Sequence, residues 1–342
     1  MIISRRWNAS LMIVMGFAAS LTMRCAANAA EDVNLSLDWI VSGTHAGYFV
    51  AKDKNFYSEK GLSVTISRGF GSGDTVKRVA SHTATFGVAD SATVIAARAN
   101  DDIPVRIIAI VYDRSATGII YLKESGIKKP KDLEGRTIGR SASGASVNLF
   151  PAFLKANNLD RSKIKEVVTD ASALPSLLLS GRIDAILDQS TNLPKYAKGA
   201  KEQGKTVLSM LYSDFGLKTY GNALITQPDT LRDKPEIVRA FVEASLRGIA
   251  YAFDHPDEAV AIVRKTHPEI DSDVTKAELL SHKALEGADE VRQHGLGYVD
   301  PEQMRETIHS ITSALSLKRE RSVDDLYAPG FLPKTGILPS GL

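Results

Sequence analysis

The sequence predicts an α/β fold built from two successive units of mostly parallel sheet flanked by helices. Three observations predict it. Short apolar, β-branched runs alternate with amphipathic stretches from Leu35 to Leu211, the pattern of consecutive βαβ units. The alternation restarts near Thr117, giving a second unit of similar build. From Lys234 onward the chain reads as helix after helix, which must pack back on the units before it.

The stretch LSLDWIVSGTHAGYFVAKDKNFYSEKGLSVTI opens the first unit. Leu35, Leu37 and Trp39 alternate with polar residues, predicting a strand over 35–40. A Ser-Gly-Thr-His loop follows, then a helix over 46–59. Gly61 stands where a left-handed cap would end that helix, and Val64, Thr65 and Ile66 predict a second strand. Gly69 to Asp74 is a glycine-rich loop in which Asp74 is the expected N-cap of a helix over 75–81. Residues 85–89 form a short buried strand, Asp90-Ser91 caps a helix over 92–99, and 104–112 is a further strand. In the second unit strands are expected at 117–122, from 136, at 166–168, 183–187 and 206–211. Helices fill the gaps at 146–157, 172–180 and 193–203. After a strand at 220–226, helices are expected at 236–254, 256–266, 272–286 and 301–316, with His255-Pro256 and His267-Pro268 as breaks. Residues 331–342 form an irregular tail.

The first 29 residues are expected to be a signal peptide. Arg5 and Arg6 form a basic start, Leu11 to Leu21 an apolar stretch too short to span a bilayer, and Ala27-Asn28-Ala29 a cleavage site. The single cysteine, Cys25, lies within this leader, so the exported chain needs no disulfide. Roughly 300 residues remain, enough for two cored domains. With 42 basic and 40 acidic residues the charge is near balance. That gives no reason to expect nucleic-acid or membrane-surface binding. Periplasmic location and a monomer without a stable membrane anchor are expected.

Four segments, read in order, resemble a known family. They are LDW with HAGYFVAKDKNFYSEKGL, GFGSGDTVKRVASHTATFGVADS, GIIYLKESGIKKPKDLEGRTIG, and PDTLRDKPEIVRAFVEASLRGIAYAFDHPDEAV. The chain resembles the periplasmic solute-binding proteins of thiamine-pyrimidine, sulfonate and nitrate uptake, over about 35–263. The resemblance implies a type II periplasmic binding protein with two lobes and two crossover strands. Lobe one would hold 31–116 and 219–330, lobe two 117–218, and the ligand would lie between them. Its partners would be the permease and ATPase of an ABC importer, and its closure a hinge motion.

In that topology the loops at the carboxyl ends of the strands converge on the cleft. Trp39 offers a face for a flat ring; His45 and Tyr48 follow at the first helix. Gly71, Ser72 and Gly73 allow close backbone approach. Asp90 and Ser91 could meet an amino or amidine group or cap their own helix. Ser141, Ser143, Gly144, Ala145 and Ser146 open a helix whose free N–H groups suit an anion or a polarised carbonyl. Asp188, Tyr220 and Asn222 complete the candidates. Arg68, Arg114 and Arg140 are the arginines of these loops. Trp39 with Asp90 favours an aminopyrimidine or related heterocycle; the helix start favours a sulfonate, taurine or nitrate.

A fungal relative of the family is a thiamine-pyrimidine synthase. Its pyridoxal-phosphate lysine aligns with Ala89, its histidine with Thr93, and its cysteine-rich run with Leu217 to Leu224, where no cysteine stands. The resemblance therefore implies binding without catalysis. No cofactor or metal is expected, since no histidine pair has metal-ligand spacing and no G-x-S-x-G or phosphate loop occurs. A lone sensing domain would need a signalling module, and none is read after Ala328.

Overall fold

The computed structural model describes residues 30–340. The expected leader over 1–29 and the last two tail residues lie outside the described residues. Strand β1 (Glu31–Ser36) leads through α1 (Ala46–Asp53), β2 (Leu62–Ser67), α2 (Ser72–Ala80), β3 (Phe86–Asp90) and α3 (Ser91–Asp101) to β4 (Arg106–Ile110). The second run is β5 (Thr117–Leu122), β6 (Thr137–Arg140), α4 (Ala145–Ala156), β7 (Lys165–Val168), α5 (Leu174–Leu179), β8 (Ala185–Gln189), α6 (Leu193–Glu202) and β9 (Val207–Leu211). Strand β10 (Asn222–Thr226) then precedes α7 (Pro228–Asp233), α8 (Pro235–Asp254), α9 (Pro256–Thr266), α10 (Ser272–Lys283), α11 (Ala288–His294), α12 (Pro301–Leu315) and α13 (Val323–Leu326).

The strands form two five-stranded sheets, ordered β2-β1-β3-β10-β4 and β7-β6-β8-β5-β9. In each sheet four strands run the same way and one is reversed: β10 pairs antiparallel with β3 and β4, and β5 with β8 and β9. Each reversed strand is the first one laid down after the chain crosses between sheets. It therefore enters from the edge where its neighbours end. The start of β10 thus lies beside the end of β3, with Asn222 opposite Asp90. The two crossing segments are tied together, Ser115 donating from N to Thr219 O at 3.0 Å and Gly221 to Tyr112 O at 2.9 Å.

Several boundaries differ from the sequence expectation, each for a physical reason. Strand β1 covers 31–36, not 35–40, because its register with β2 runs from Glu31 opposite Leu62 to Ser36 opposite Ser67. Beyond that pairing the chain leaves the sheet, so Asp38 and Trp39 stand in a bend. Helix α1 stops at Asp53, short of 59, and Asn55 turns left-handed at φ 63°. Helix α2 starts at Ser72, not Thr75. Its N-cap is Gly71, at φ 115°, while Asp74 lies inside the first turn and pairs with Arg78 at 2.6 Å. Strand β10 starts at Asn222, leaving Tyr220 in the crossover. The short helices α7, α11 and α13 carry too few periodic residues to be read from sequence.

The core between the first sheet and the C-terminal helices centres on Phe241. This fully buried ring stacks on Phe86 with centroids 3.8 Å apart and on Tyr57 at 5.6 Å. Helices α1 and α8 cross where Gly47 and Gly248 meet; a Cβ on Gly248 would stand 2.1 Å from Gly47 O. Helix α12 packs on both α3 and α4, helices that flank the two different sheets. The tail has no regular structure through 340 but is held, with Leu296 N donating to Ile337 O and Ser340 N to Asp254. Among the described residues no helix is long and apolar enough to cross a membrane.

Candidate functional site

The carboxyl ends of β1, β2 and β3 face those of β6 and β8 across an interlobe cleft. Trp39, partly exposed, stands in its centre, and three cavities border it. The smallest, about 20 Å³, is walled by Asp38, Trp39, Ser42, Gly71, Ser72, Ser141, Gly144, Ala145, Ser146, Asp188, Gln189 and Asn192 among others. Two larger ones, of about 670 and 680 Å³, lie on either side. The bend carrying Trp39 is pinned to the glycine loop: Gly69 N donates to Trp39 O at 3.0 Å and Gly71 N to Asp38 O at 2.8 Å. A Cβ on Gly144 would sit 3.8 Å from the indole ring, so the α4 entrance lies directly against Trp39.

Asp38 is the hub of the buried polar groups. Its Oδ1 lies 2.9 Å from His45 Nε2, and its Oδ2 accepts from Asn222 Nδ2 at 2.9 Å. Ser42 N donates to His45 Nδ1 at 3.3 Å. That bond makes Nδ1 the acceptor and places the proton on Nε2, directed at the carboxylate. His45 is buried and lines none of the three cavities, so its contact is with Asp38 and Ser42. Tyr48 lies in the core with its hydroxyl unpartnered.

Asp90 caps α3, its Oδ1 accepting from Ala92 N at 3.1 Å and Thr93 N at 3.3 Å. Its Oδ2 is buried without a partner. Burial drives its pKa up to about 7, against the pull of the two N–H groups and with the Asp38 charge adding to the rise. Ser91 Oγ donates to Tyr220 O at 2.8 Å, and the Tyr220 hydroxyl accepts from Asp300 N, so both serve the crossover. Asp188 is buried and accepts from Gln189 N, Asn192 Nδ2 and Tyr196 OH at 2.7–2.8 Å; burial still raises its pKa. Ser146 Oγ accepts from Gly118 N at 3.1 Å. The lobes touch where Ser143 Oγ donates to Phe70 O at 2.8 Å. Gly73 and Ser143 border the 680 Å³ cavity.

Trp39, the 71–73 loop, the 141–146 loop, Asp188 and, through Asp38, Asn222 thus come together. His45, Tyr48, Asp90, Ser91 and Tyr220 stand behind them, away from the cavity walls. Sequence reading passed over Asp38, Ser42, Lys195 and Glu278. Asp38 had a local signal, a lone carboxylate between Leu37 and Trp39. Glu278 had none: it lies on α10, accepts from Gly43 N at 2.9 Å, and burial raises its pKa to about 7.

The matching family model is the one described as NMT1/THI5 like, over residues 42–259. The chain belongs to the NMT1/THI5-like family. It is 26% identical over 263 residues to the formylaminopyrimidine-binding protein of Halalkalibacterium halodurans, covering 76% of this chain and 78% of that one. It is 27% identical over 328 residues to the riboflavin-binding protein RibY of Chloroflexus aurantiacus, covering 92% and 91%. The fold is shared with the alkanesulfonate-binding protein SsuA of Xanthomonas axonopodis pv. citri, with a TM-score of 0.64 and 11% identity over 86% of this chain and 98% of that one. Proteins named 4-amino-5-hydroxymethyl-2-methylpyrimidine phosphate synthase are also relatives of this NMT1/THI5-like chain, for example at 25% identity over 70% of it.

Two outcomes follow from this geometry. A Cβ on Gly71 would meet Ser143 O at 2.1 Å, across the two lobes, at a φ that disfavours side chains. Gly71→Ala should therefore hold the lobes apart and weaken ligand capture by about 1–3 kcal/mol, the scale of an overpacked contact. Small-angle scattering should show a larger radius at saturating ligand, and an unchanged radius with unchanged affinity would contradict this.

The second concerns pH. Asp90 and Glu278 would titrate near pH 4 in the unfolded chain and near 7 in the folded one. The folded state holds protons the unfolded state releases. Their contribution is fully present below about pH 4 and is lost as pH rises through 7. Asp90→Asn keeps the cap acceptor and removes one charge. In urea denaturation it should flatten the fall in stability between pH 5 and 8 and be more stable than the parent at pH 8; an identical slope would refute the assignment.

Proposed function

We propose that this protein is the extracytoplasmic substrate-binding component of an ABC importer, capturing a flat, amino-bearing heterocycle of the aminopyrimidine class between its lobes. One observation carries the choice of ligand. The small cavity against Trp39 presents two carboxylates, Asp38 and Asp188, and no lysine, arginine or histidine. Exocyclic amino groups and ring N–H donors suit such acceptors, and the indole supplies the stacking face. A free anion would instead meet like charge there. At about 20 Å³ this cavity holds little more than a water, so a ring must part the 141–146 loop from Trp39. Lobes at 31–116 with 219–330 and at 117–218, hinged at the paired crossovers, provide that motion.

The reading is one of binding without catalysis. Ala89, aligned with the synthase lysine, is fully buried in β3 and carries no nucleophile. The relative that binds formylaminopyrimidine supports the ligand class. The leader expected over 1–29 supports export, and a permease with its ATPase would be the partner in delivery. A second reading, a sulfonate or nitrate ligand, has one observation in its favour: the N-cap of α4 is Gly144, and no side chain caps the helix's first N–H groups.

Calorimetry and thermal shift against 4-amino-5-hydroxymethyl-2-methylpyrimidine, riboflavin, an alkanesulfonate and nitrate decide between them. The pyrimidine should bind, and at a hundred times its Kd should stabilise the protein by about 2.7 kcal/mol. Binding of the sulfonate or nitrate alone would overturn the heterocycle.

A further inference from the structure

The two large cavities are unlike in chemistry, and Trp39, Ile40, Arg68 and Ala171 border both. The 670 Å³ cavity is acidic, with Asp188, Glu202, Glu269, Asp271 and Glu278 outnumbering Arg68, Lys195 and Lys198, of which Lys198 pairs with Asp271. The 680 Å³ cavity has a different lining. Phe70 from the first lobe and Val168 from the second are 53% and 56% exposed, and both border it. They are two of the few large apolar side chains left open among the described residues. Its cations are Arg68 and Lys77. It also holds two carboxylates: Asp74, paired with Arg78, and Asp170, which accepts from Ser172 N at 2.8 Å. Arg68 lies over the Phe70 ring at 4.5 Å. Hydrogen bonds from Ser172 hold the Asp170 pKa down, and the Arg68 charge adds to that pull.

An aminopyrimidine fills a small part of this space and leaves Arg68, Phe70 and Val168 unused. We infer that the ligand has two parts: an amino-bearing ring on Trp39, and a substituent that passes the indole into the second cavity and ends in an acidic group at Arg68. The inference rests on the ring reading above and extends it. The apolar rim covers the linking portion of the ligand, and the guanidinium forms a charge-assisted hydrogen bond with its end.

Calorimetry with two probes tests this on the full chain: 4-amino-5-hydroxymethyl-2-methylpyrimidine, and thiamine monophosphate, which carries an aminopyrimidine, a second ring and a phosphate. The monophosphate should bind about tenfold tighter or more, the gain expected of one hydrogen bond to a charged group. That ratio should fall with added salt and approach one in Arg68→Gln. It should do the same in Val168→Asp, which places a carboxylate at an exposed position and leaves the core intact. A ratio near one in the parent protein, or an unchanged ratio in both variants, overturns the inference while Trp39-dependent binding of the pyrimidine keeps the ring reading. Binding of neither probe overturns both.

Discussion

Alanine at position 39 should weaken capture of the proposed aminopyrimidine by about 1–3 kcal/mol, the worth of stacking a base on an aromatic side chain. Trp39 stands partly exposed between three cavities and contributes little to the core, so the variant should keep its fold. Trp39→Phe separates stacking from bulk, since it retains a ring face but loses the indole N–H and part of the area. Calorimetry should rank the affinities Trp, then Phe, then Ala. Equal affinity in all three would remove Trp39 from the site.

Removing the Phe241 ring should cost the fold about 3–5 kcal/mol, the range for Phe→Ala in a packed core. The ring is fully buried between Phe86 and Tyr57, so no neighbour can refill the space without leaving its own rotamer. Tyr57 would also lose the face that holds its hydroxyl at 2.9 Å from Ser245 Oγ. Urea denaturation of Phe241→Ala should show this as a lower midpoint. A loss under about 1 kcal/mol would mean that the core relaxes far more than close packing allows. Because Phe86 opens the strand that ends at Asp90, softening here should also blur the cleft.

Much of the chain was readable because strand and helix periods are local. Leu35 and Leu37, the helix entrance at Asp90, the Ser141 to Ser146 turn and the proline breaks after His255 and His267 all rest on patterns of a few residues. The loops at the strand ends were legible as cleft walls for the same reason, since in such sheets ligands bind at the strand ends. Other features were out of reach. Trp39 reads as a strand residue until β2 runs out of pairing partners at Ser67. His45 reads as a free imidazole until Asp38 and Ser42 occupy both its nitrogens.

What the sequence by itself determined is the order of the strands and longer helices, the restart at Thr117 and the small-residue and aromatic loops that border the cleft. Only the tertiary structure decided which side chains meet there. Asp38 is joined to Asn222 across 184 positions, and Gly43 to Glu278 across 235. Such pairs follow from strand order and helix packing, which arise when distant apolar faces bury each other. No periodicity of a few residues encodes them. The two unlike cavities that Trp39 borders, one acidic and one of mixed charge with an apolar rim, are likewise a product of that packing.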